Sequence, residues 1–373
     1  MIGVALALRP RGQKEPKRRI FTLTPRYTVI DFYSDTKTKP TPEMRRAVLD
    51  CVVGDEQKNE DPTTSQLCDR VARLLGKEAA IFLPSGTMCN EIAIKIHTNP
   101  GDEIICEQSC HIINFETGGP SAISGVMIRA LDGENGMFET QQMLNALRPD
   151  SRYMPKTALI CVEQTANMGG GAVWPLEKLQ AVSSAAKNNN INTHMDGARL
   201  MNAVVKTGIS AASYAEGFDS VWLDFTKGLG APVGAVLAGS EDFIAKAWRH
   251  KQQFGGAMRQ SGIIASMCLY ALDHHVERLA DDHKLAQKLG EQISQLKQVK
   301  SVLPVETNIV IFDLHDDGPS AAEVVDQLQD NGILVGAFGP QRIRVVTHLD
   351  VDFDAGEAMI DSLTAVLNGS AGN

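Results

Sequence analysis

Short apolar runs alternate with helical periods along the chain from about residue 78 onward. Six of these runs predict strands, at residues 79–83, 103–106, 158–162, 191–195, 220–224 and 233–237. Helical spacing over residues 87–97 and 176–187 predicts connecting helices. Strand–helix alternation of this kind is typical of an α/β fold in which helices cover both faces of a mostly parallel sheet. The run at 233–237 is predicted to add one antiparallel or edge strand.

The C-terminal part of the chain has a different pattern. Residues 258–298 are strongly helical. The pattern then becomes strand, helix, strand, strand and helix, at residues 309–312, 320–329, 333–335, 343–346 and 353–367. This order predicts a smaller C-terminal α+β domain over residues 300–370, following a large domain over residues 31–299 that includes the long connecting helix.

The first 30 residues differ from the rest in charge. They contain seven Lys and Arg residues against a single acid, Glu15. We expect residues 1–30 to form a disordered basic extension. A transit-like segment, a nucleic-acid-binding arm or a start codon assigned too far upstream are the alternatives that the sequence leaves open.

Composition excludes several classes of protein. No stretch of about 18 apolar residues occurs, so we expect no membrane span. The net charge of −9 argues against a nucleic-acid partner. The seven cysteines are odd in number and form no CxxC pair. The only cluster of metal-binding residue types among them is Cys106 and Cys110 with the adjacent His111. We therefore expect reduced thiols, no metal site and a cytoplasmic location.

Three polar features follow predicted strands, where open α/β sheets place their ligands. The segment 84–87 (Pro-Ser-Gly-Thr) opens a helix and could bind a phosphate through backbone N–H groups. Asp196 could pair with a heterocyclic cation, and Lys227, among small residues, suits Schiff-base chemistry. Each has an ordinary alternative, a helix cap for the first two and a surface lysine for the third. Their order along the chain is the one that pyridoxal 5'-phosphate requires.

From about residue 30 to 367 the chain resembles the low-specificity L-threonine aldolases, in the β-eliminating-lyase group of fold-type-I pyridoxal phosphate enzymes. The resemblance is carried by residues 34–42, 54–55, 60–63, 84–88, 111, 196–200, 227–232, 258–260 and 344–350. It implies the aminotransferase-like α/β fold and pyridoxal 5'-phosphate as cofactor. It also implies a homotetramer, a dimer of dimers whose active sites are shared between subunits.

The resemblance assigns seven cofactor-binding residues, of which His111 and Arg199 also face the substrate. Lys227 matches the lysine that holds the cofactor as a Schiff base, and Asp196 matches the partner of its ring nitrogen. Gly86 and Thr87 match phosphate ligands. Arg259 matches a further phosphate ligand that comes from a neighbouring subunit.

The resemblance also assigns residues to the substrate. His111 matches a histidine that stacks on the cofactor ring and takes part in proton transfer. Ser34, Arg199 and Arg344 match the groups that hold the substrate carboxylate, and Arg199 also counts among the cofactor-binding residues. Two guanidinium groups can fix a carboxylate by charge-assisted hydrogen bonds, which selects the bond that breaks. The implied reaction is retro-aldol cleavage of L-threonine-like β-hydroxy amino acids to glycine and an aldehyde.

Two positions depart from the family's pattern. Ala166 stands where a histidine is expected near the β-substituent of the substrate, and Lys58 stands where a tyrosine is expected. We hypothesise that Lys58 selects a polar or anionic β-substituent; a solvated loop lysine is the alternative. Because alanine cannot accept a proton, the sequence keeps open a β-eliminating lyase, a dehydratase or a racemase. A non-catalytic scaffold of the same fold is the remaining alternative.

Overall fold

Two sheets organise the protein, for which a computed structural model describes residues 29–369. The strands are β1 (Ile30–Asp31), β2 (Ala79–Leu83), β3 (Glu103–Glu107), β4 (Met127–Leu131), β5 (Thr157–Glu163), β6 (Asn192–Gly197), β7 (Ser220–Asp224), β8 (Ala235–Gly239), β9 (Val299–Val302), β10 (Ile309–Leu314), β11 (Ile333–Leu334), β12 (Gly336–Ala337) and β13 (Arg342–Val346). Residues 1–28 of the predicted basic extension lie outside the described residues, and Ile30 belongs to β1.

Helices cover these sheets. They are α1 (Pro42–Arg46), α2 (Pro62–Leu74), α3 (Gly86–His97), α4 (His111–Asn114), α5 (Thr140–Ala146), α6 (Leu176–Asn188), α7 (Leu200–Thr207), α8 (Ala211–Ala215), α9 (Glu241–Gln253), α10 (Gly262–His274), α11 (Leu279–Ile293), α12 (Ala321–Asp330) and α13 (Phe353–Gly369). Single turns of 3-10 helix occur at Asp35–Lys37 and Glu56–Lys58, and a turn of π-helix at Pro120–Ser124. Between residues 29 and 369 no helix is both long enough and apolar enough to cross a membrane.

The larger sheet has the strand order β2-β8-β7-β6-β5-β3-β4. Its pairs are parallel except those of β8, which runs antiparallel to β2 and to β7. Every residue of β3, β5, β7 and β8 is buried, as expected for strands covered on both faces. The predicted α/β fold with a mostly parallel central sheet is confirmed.

The smaller sheet is antiparallel, with the order β12-β13-β10-β9, and β1 pairs with β11 beside it. Its core includes Val310, Val345 and Met359 from the C-terminal part of the chain. Phe32, which follows β1, and Leu285, in α11, pack into the same core, although both precede residue 300. The division of the chain at residue 300 stays a prediction.

Candidate active site

Six strands of the larger sheet end at the same edge. β3, β4, β5, β6 and β7 are parallel, and β2 runs in their direction because each of β2 and β7 is antiparallel to β8. The residues that follow or close these strands therefore meet at this edge; they include Gly86, His111, Glu163, Asp196 and Lys227. Glu163 and Asp196 are direct partners in the register of β5 and β6. We call this edge of the sheet the candidate site.

Asp196 is a buried carboxylate at the centre of the candidate site, 4% exposed. Its Oδ1 accepts from the backbone N–H of Ala198 (3.0 Å), and its Oδ2 accepts from Nδ2 of Asn90 (2.9 Å). Among the ion pairs of the described residues, none includes Asp196. A buried negative charge is costly without a counter-charge, so this carboxylate is suited to a cationic ligand group.

Asn90 of α3 fixes that carboxylate. Its Oδ1 accepts from the indole N–H of Trp222 (2.7 Å) and lies 3.0 Å from Nε2 of His194. Its Nδ2 is thereby left as the donor, and it donates to Asp196 and to Glu116 Oε1 (2.7 Å). Asn90 was not predicted as a site residue; a polar amide in the apolar stretch of α3 was the available signal in the sequence.

His111 lies beside Asp196 and is half-buried. Its Nδ1 is 2.8 Å from Glu116 Oε1, and its backbone N–H donates to Glu163 Oε2 (2.6 Å). Burial acts to lower the pKa of His111, but the hydrogen bond with Glu116 and the charge of Asp196 outweigh it and raise that pKa. Burial, with the charge of Asp196, also raises the pKa of Glu163. Neither Glu116 nor Glu163 was predicted from the sequence as a site residue.

Lys227 follows β7 at the same edge, and its side chain is 13% exposed. Its Nζ lies 3.3 Å from Asp224 Oδ2 and 5.8 Å from the centre of the Trp222 ring. The hydroxyl of Thr38 donates to the Lys227 carbonyl (2.9 Å), which holds the backbone of this turn. The amine is therefore largely buried and has one carboxylate neighbour.

Two arginines converge on one amide oxygen. Nη1 of Arg344 (2.8 Å) and Nη1 of Arg199 (3.4 Å) both donate to Asn167 Oδ1. Asp35 neutralises Arg199 through two hydrogen bonds of 2.7 Å, and Nε of Arg344 has no partner among the described residues. Burial, with the charge of Arg199, lowers the pKa of Arg344 to about 10. This excess of buried positive charge favours an anion. Ser34, also buried, directly precedes Asp35.

The N-terminus of α3 supplies the predicted phosphate-binding backbone. Ser85 caps the helix by accepting from the N–H of Met88 (3.3 Å), and Thr87 in the first turn is exposed. A Cβ at position 86 would lie 2.1 Å from the Trp222 ring, so the close approach of helix and strand requires Gly86. The free N–H groups and the helix dipole favour an anion here.

Lys58 and Arg259 belong to two segments that hydrogen bonds join, such as the one from Gln57 Nε2 to the Met258 carbonyl (3.1 Å). Arg259 is exposed and pairs with Asp55 (2.9 Å), and its carbonyl accepts from the N–H of Glu56 (3.0 Å). The exposed side chain of Lys58 makes no hydrogen bond or ion pair within residues 29–369. No hydrogen bond or ion pair of the described residues joins either of them to Lys227, Asp196 or His111.

Ala166 is buried and tightly enclosed. A Cβ built on Gly136 would lie 2.6 Å from the Ala166 Cβ, and one on Gly169 would lie 3.1 Å from it. The backbone of Ala166 is held by hydrogen bonds with Ala172 and Gly171 (2.9 Å each). The space that a larger side chain would need is occupied by the loop around Gly136.

We therefore predict that Ala166→His does not create a working base. Overpacking costs about 1–3 kcal/mol of stability, so we expect a lower Tm in thermal unfolding and no increase in kcat. Ala166→Ser, which adds one atom, is the control and should unfold near the wild-type temperature. A histidine variant with unchanged Tm and higher kcat would show that the pocket accepts the imidazole.

Known proteins are similar to this chain in sequence and in fold. Residues 31–317 match the model of the beta-eliminating lyase family. A low-specificity L-threonine aldolase of Arabidopsis thaliana is 39% identical, over 86% of this chain and 91% of its own. An alanine racemase of Cochliobolus carbonum is 34% identical, over 90% of this chain and 87% of its own. The threonine aldolase of Leishmania major has the same fold, with a TM-score of 0.77 at 19% identity, over 90% of this chain and 99% of its own.

Proposed function

Because this chain belongs to the beta-eliminating lyase family, we propose that it cleaves L-threonine, L-allo-threonine and related β-hydroxy amino acids to glycine and an aldehyde. Pyridoxal 5'-phosphate is the cofactor of this proposal. The observation that carries it is the buried carboxylate of Asp196, which is in no ion pair among the described residues and lies at the same sheet edge as the amine of Lys227.

The residues of the candidate site fit pyridoxal 5'-phosphate. Asp196 needs a cationic partner, which a protonated ring nitrogen provides, and the N-terminus of α3 with Gly86 and Thr87 suits the phosphate. Lys227 offers the amine that binds the aldehyde. When bound, the cofactor supplies an electron sink for the bond that breaks at the substrate Cα.

The chain's own side chains bind and orient the amino acid. Arg344, with its unpartnered Nε, and Arg199 hold the substrate carboxylate, and Ser34 lies next to them. His111 has its Nδ1 fixed by Glu116, so its Nε2 is left to take the proton of the substrate β-hydroxyl. With alanine at position 166, His111 is the one histidine among these side chains that can act as the base.

Incubation of the purified, cofactor-loaded protein with L-threonine and with L-allo-threonine tests this function. We expect glycine and acetaldehyde in equal amounts. Formation of a keto acid with ammonia would identify a β-eliminating lyase or dehydratase instead. No turnover of either substrate, with the cofactor bound, would identify a scaffold and overturn the proposal.

Racemisation is a second candidate function. Two observations favour it: Ala166 cannot accept a proton, and an alanine racemase is among the relatives. The carboxylate site formed by Arg199 and Arg344 would hold alanine as well as threonine. Incubation with L-alanine followed by chiral chromatography separates the two functions, since only a racemase forms D-alanine.

Assembly and location belong to the same proposal. We propose a homotetramer in the cytoplasm, with Lys58 and Arg259 reaching the active site of a neighbouring subunit. The surface near these two residues exposes apolar side chains, Leu49 (80% exposed), Val52 (66%) and Ile263 (45%). All seven cysteines are free thiols, which is typical of a reducing compartment.

The assembly gives Lys58 a role in specificity. If its ammonium group faces a neighbouring site, Lys58→Tyr should move the preference from β-hydroxyaspartate towards phenylserine, by about tenfold in the ratio of kcat/KM values. Steady-state kinetics with threonine, phenylserine and β-hydroxyaspartate measure this ratio. Lys300→Tyr, at an exposed lysine of the smaller sheet, is the control. An unchanged ratio in Lys58→Tyr would leave Lys58 as a solvated loop lysine.

A further inference from the structure

A second carboxyl group is buried behind Glu116. Glu91, on α3, is 3% exposed, and neither of its carboxyl oxygens has a hydrogen-bond partner among the described residues. Oε2 of Glu116 also has none. Buried polar atoms without partners are rare, and each requires an explanation. These three oxygens belong to two neighbouring carboxyl groups, since Gly119 lies against Glu91 Oε1 and its N–H donates to the carbonyl of Glu116 (2.8 Å).

We propose that Glu91 is protonated at neutral pH and donates its O–H to Glu116 Oε2, so that it is a positioning residue for His111. With this proton, one oxygen of Glu91 donates a hydrogen bond and Glu116 Oε2 accepts it. The other oxygen of Glu91 is then the one that keeps no partner among the described residues. Glu116 keeps its negative charge, and each of its two carboxylate oxygens then has a hydrogen-bond donor. The proposal rests on the proposed function only in so far as His111 takes a substrate proton.

The surrounding contacts decide which of the two glutamates holds the proton. Oε1 of Glu116 accepts from Nδ2 of Asn90 (2.7 Å) and faces His111 Nδ1 (2.8 Å), and both contacts favour an ionised Glu116. Glu91 has no such donor. Lys95, one turn further along α3, donates to the carbonyl of Ile123 instead (3.0 Å).

The environment of Glu91 agrees with this assignment. Two buried carboxyl groups in contact cannot both ionise at neutral pH. Burial, together with the charge of Glu116, raises the pKa of Glu91 to about 8. Gly119 closes the space beside it, since a Cβ there would lie 1.9 Å from Glu91 Oε1. The acid therefore has no room for a larger counter-group on that side.

The proton on Glu91 controls the charge that His111 experiences. With Glu91 neutral, His111 faces the negative charges of Glu116, Asp196 and Glu163 and the positive charge of Lys227. Ionisation of Glu91 adds a further buried negative charge behind Glu116. The O–H that held Glu116 Oε2 is then lost and the two carboxylates repel each other, so Glu116 no longer holds His111 Nδ1 in place. We expect kcat to fall as the pH rises past about 8.

Infrared spectroscopy of the full-length protein tests the protonation state without any turnover. The difference between wild type and Glu91→Gln at pH 7 should contain the carbonyl band of a protonated carboxylic acid. Between pH 7 and 9 that band should decrease in the wild type while a carboxylate band increases. Identical spectra in the protonated-acid region would overturn the proposal, whatever reaction the protein catalyses.

Kinetic pH profiles test the effect on His111. Glu91→Gln keeps an N–H donor for Glu116 but cannot ionise, so it should retain most of the neutral-pH kcat and lack the wild-type decline above pH 8. Glu91→Leu leaves Glu116 Oε2 without a donor, and we expect kcat about tenfold lower. A merely structural role would lower Tm in both variants without changing the pH profile. A Glu91→Gln profile that keeps the wild-type decline would overturn the positioning role.

Discussion

Lys227→Ala should abolish both activity and the absorbance of the bound cofactor. The Lys227 amine is largely buried at the edge of the sheet, beside Asp224 and the Trp222 ring. Loss of a covalent catalytic group typically removes most of the rate enhancement, so we expect kcat to fall by about three orders of magnitude or more. Glycine production from L-threonine and the visible spectrum of the purified protein measure the two losses.

The fold should survive this substitution. Thr38 bonds to the Lys227 carbonyl and not to its side chain, so the turn keeps its anchor. Lys246→Ala, at an exposed lysine of α9, is the control and should keep both colour and activity. A coloured, active Lys227→Ala protein would require another amine to bind the cofactor, and borohydride reduction followed by mass spectrometry would locate it.

Much of the larger sheet could be predicted because its strands are buried on both faces. The strands at 79–83 and 220–224 begin and end at the predicted residues, since the first is a continuous apolar run and the second has three apolar residues between Ser220 and Asp224. β4 was not predicted. It lies at one edge of the sheet, four of its five residues are exposed or half-buried, and Arg129 interrupts its apolar residues. β2, at the other edge, was predicted because all five of its residues are apolar.

The candidate site could be predicted only in part. Lys227, Asp196 and Gly86 follow predicted strands, so their common edge follows from parallel topology. Asn90 and Glu116 act through contacts that join α3 to distant parts of the chain, such as the hydrogen bond from Asn90 to Asp196. No local pattern encodes these contacts. Likewise, Ala166 is a departure from the family's pattern in the sequence, and only packing shows that Gly136 and Gly169 close the space around it.

Asp196→Asn should lower kcat by about a hundredfold or more, because the carboxylate that keeps the ring nitrogen protonated loses its charge. The substitution is not neutral in hydrogen bonding either. Oδ1 would still accept from Ala198, but the new amide group would face Nδ2 of Asn90, donor against donor. Asn90 cannot rotate to compensate without leaving Trp222 without an acceptor. Cofactor affinity should therefore weaken together with kcat.

Steady-state kinetics and a titration of the protein with pyridoxal 5'-phosphate measure the two effects separately. Asp219→Asn is the matched control, since it removes the same charge at the opposite edge of the sheet, where Asp219 accepts from the N–H of Thr193 (2.7 Å). That variant should keep the wild-type kcat, because one amide oxygen can replace the acceptor. An Asp196→Asn enzyme with kcat within threefold of wild type would mean that the buried carboxylate only anchors Asn90 and the turn at Ala198. The negative charge of Asp196 would then contribute nothing to catalysis by the cofactor, and the proposed function would lose the observation on which it rests.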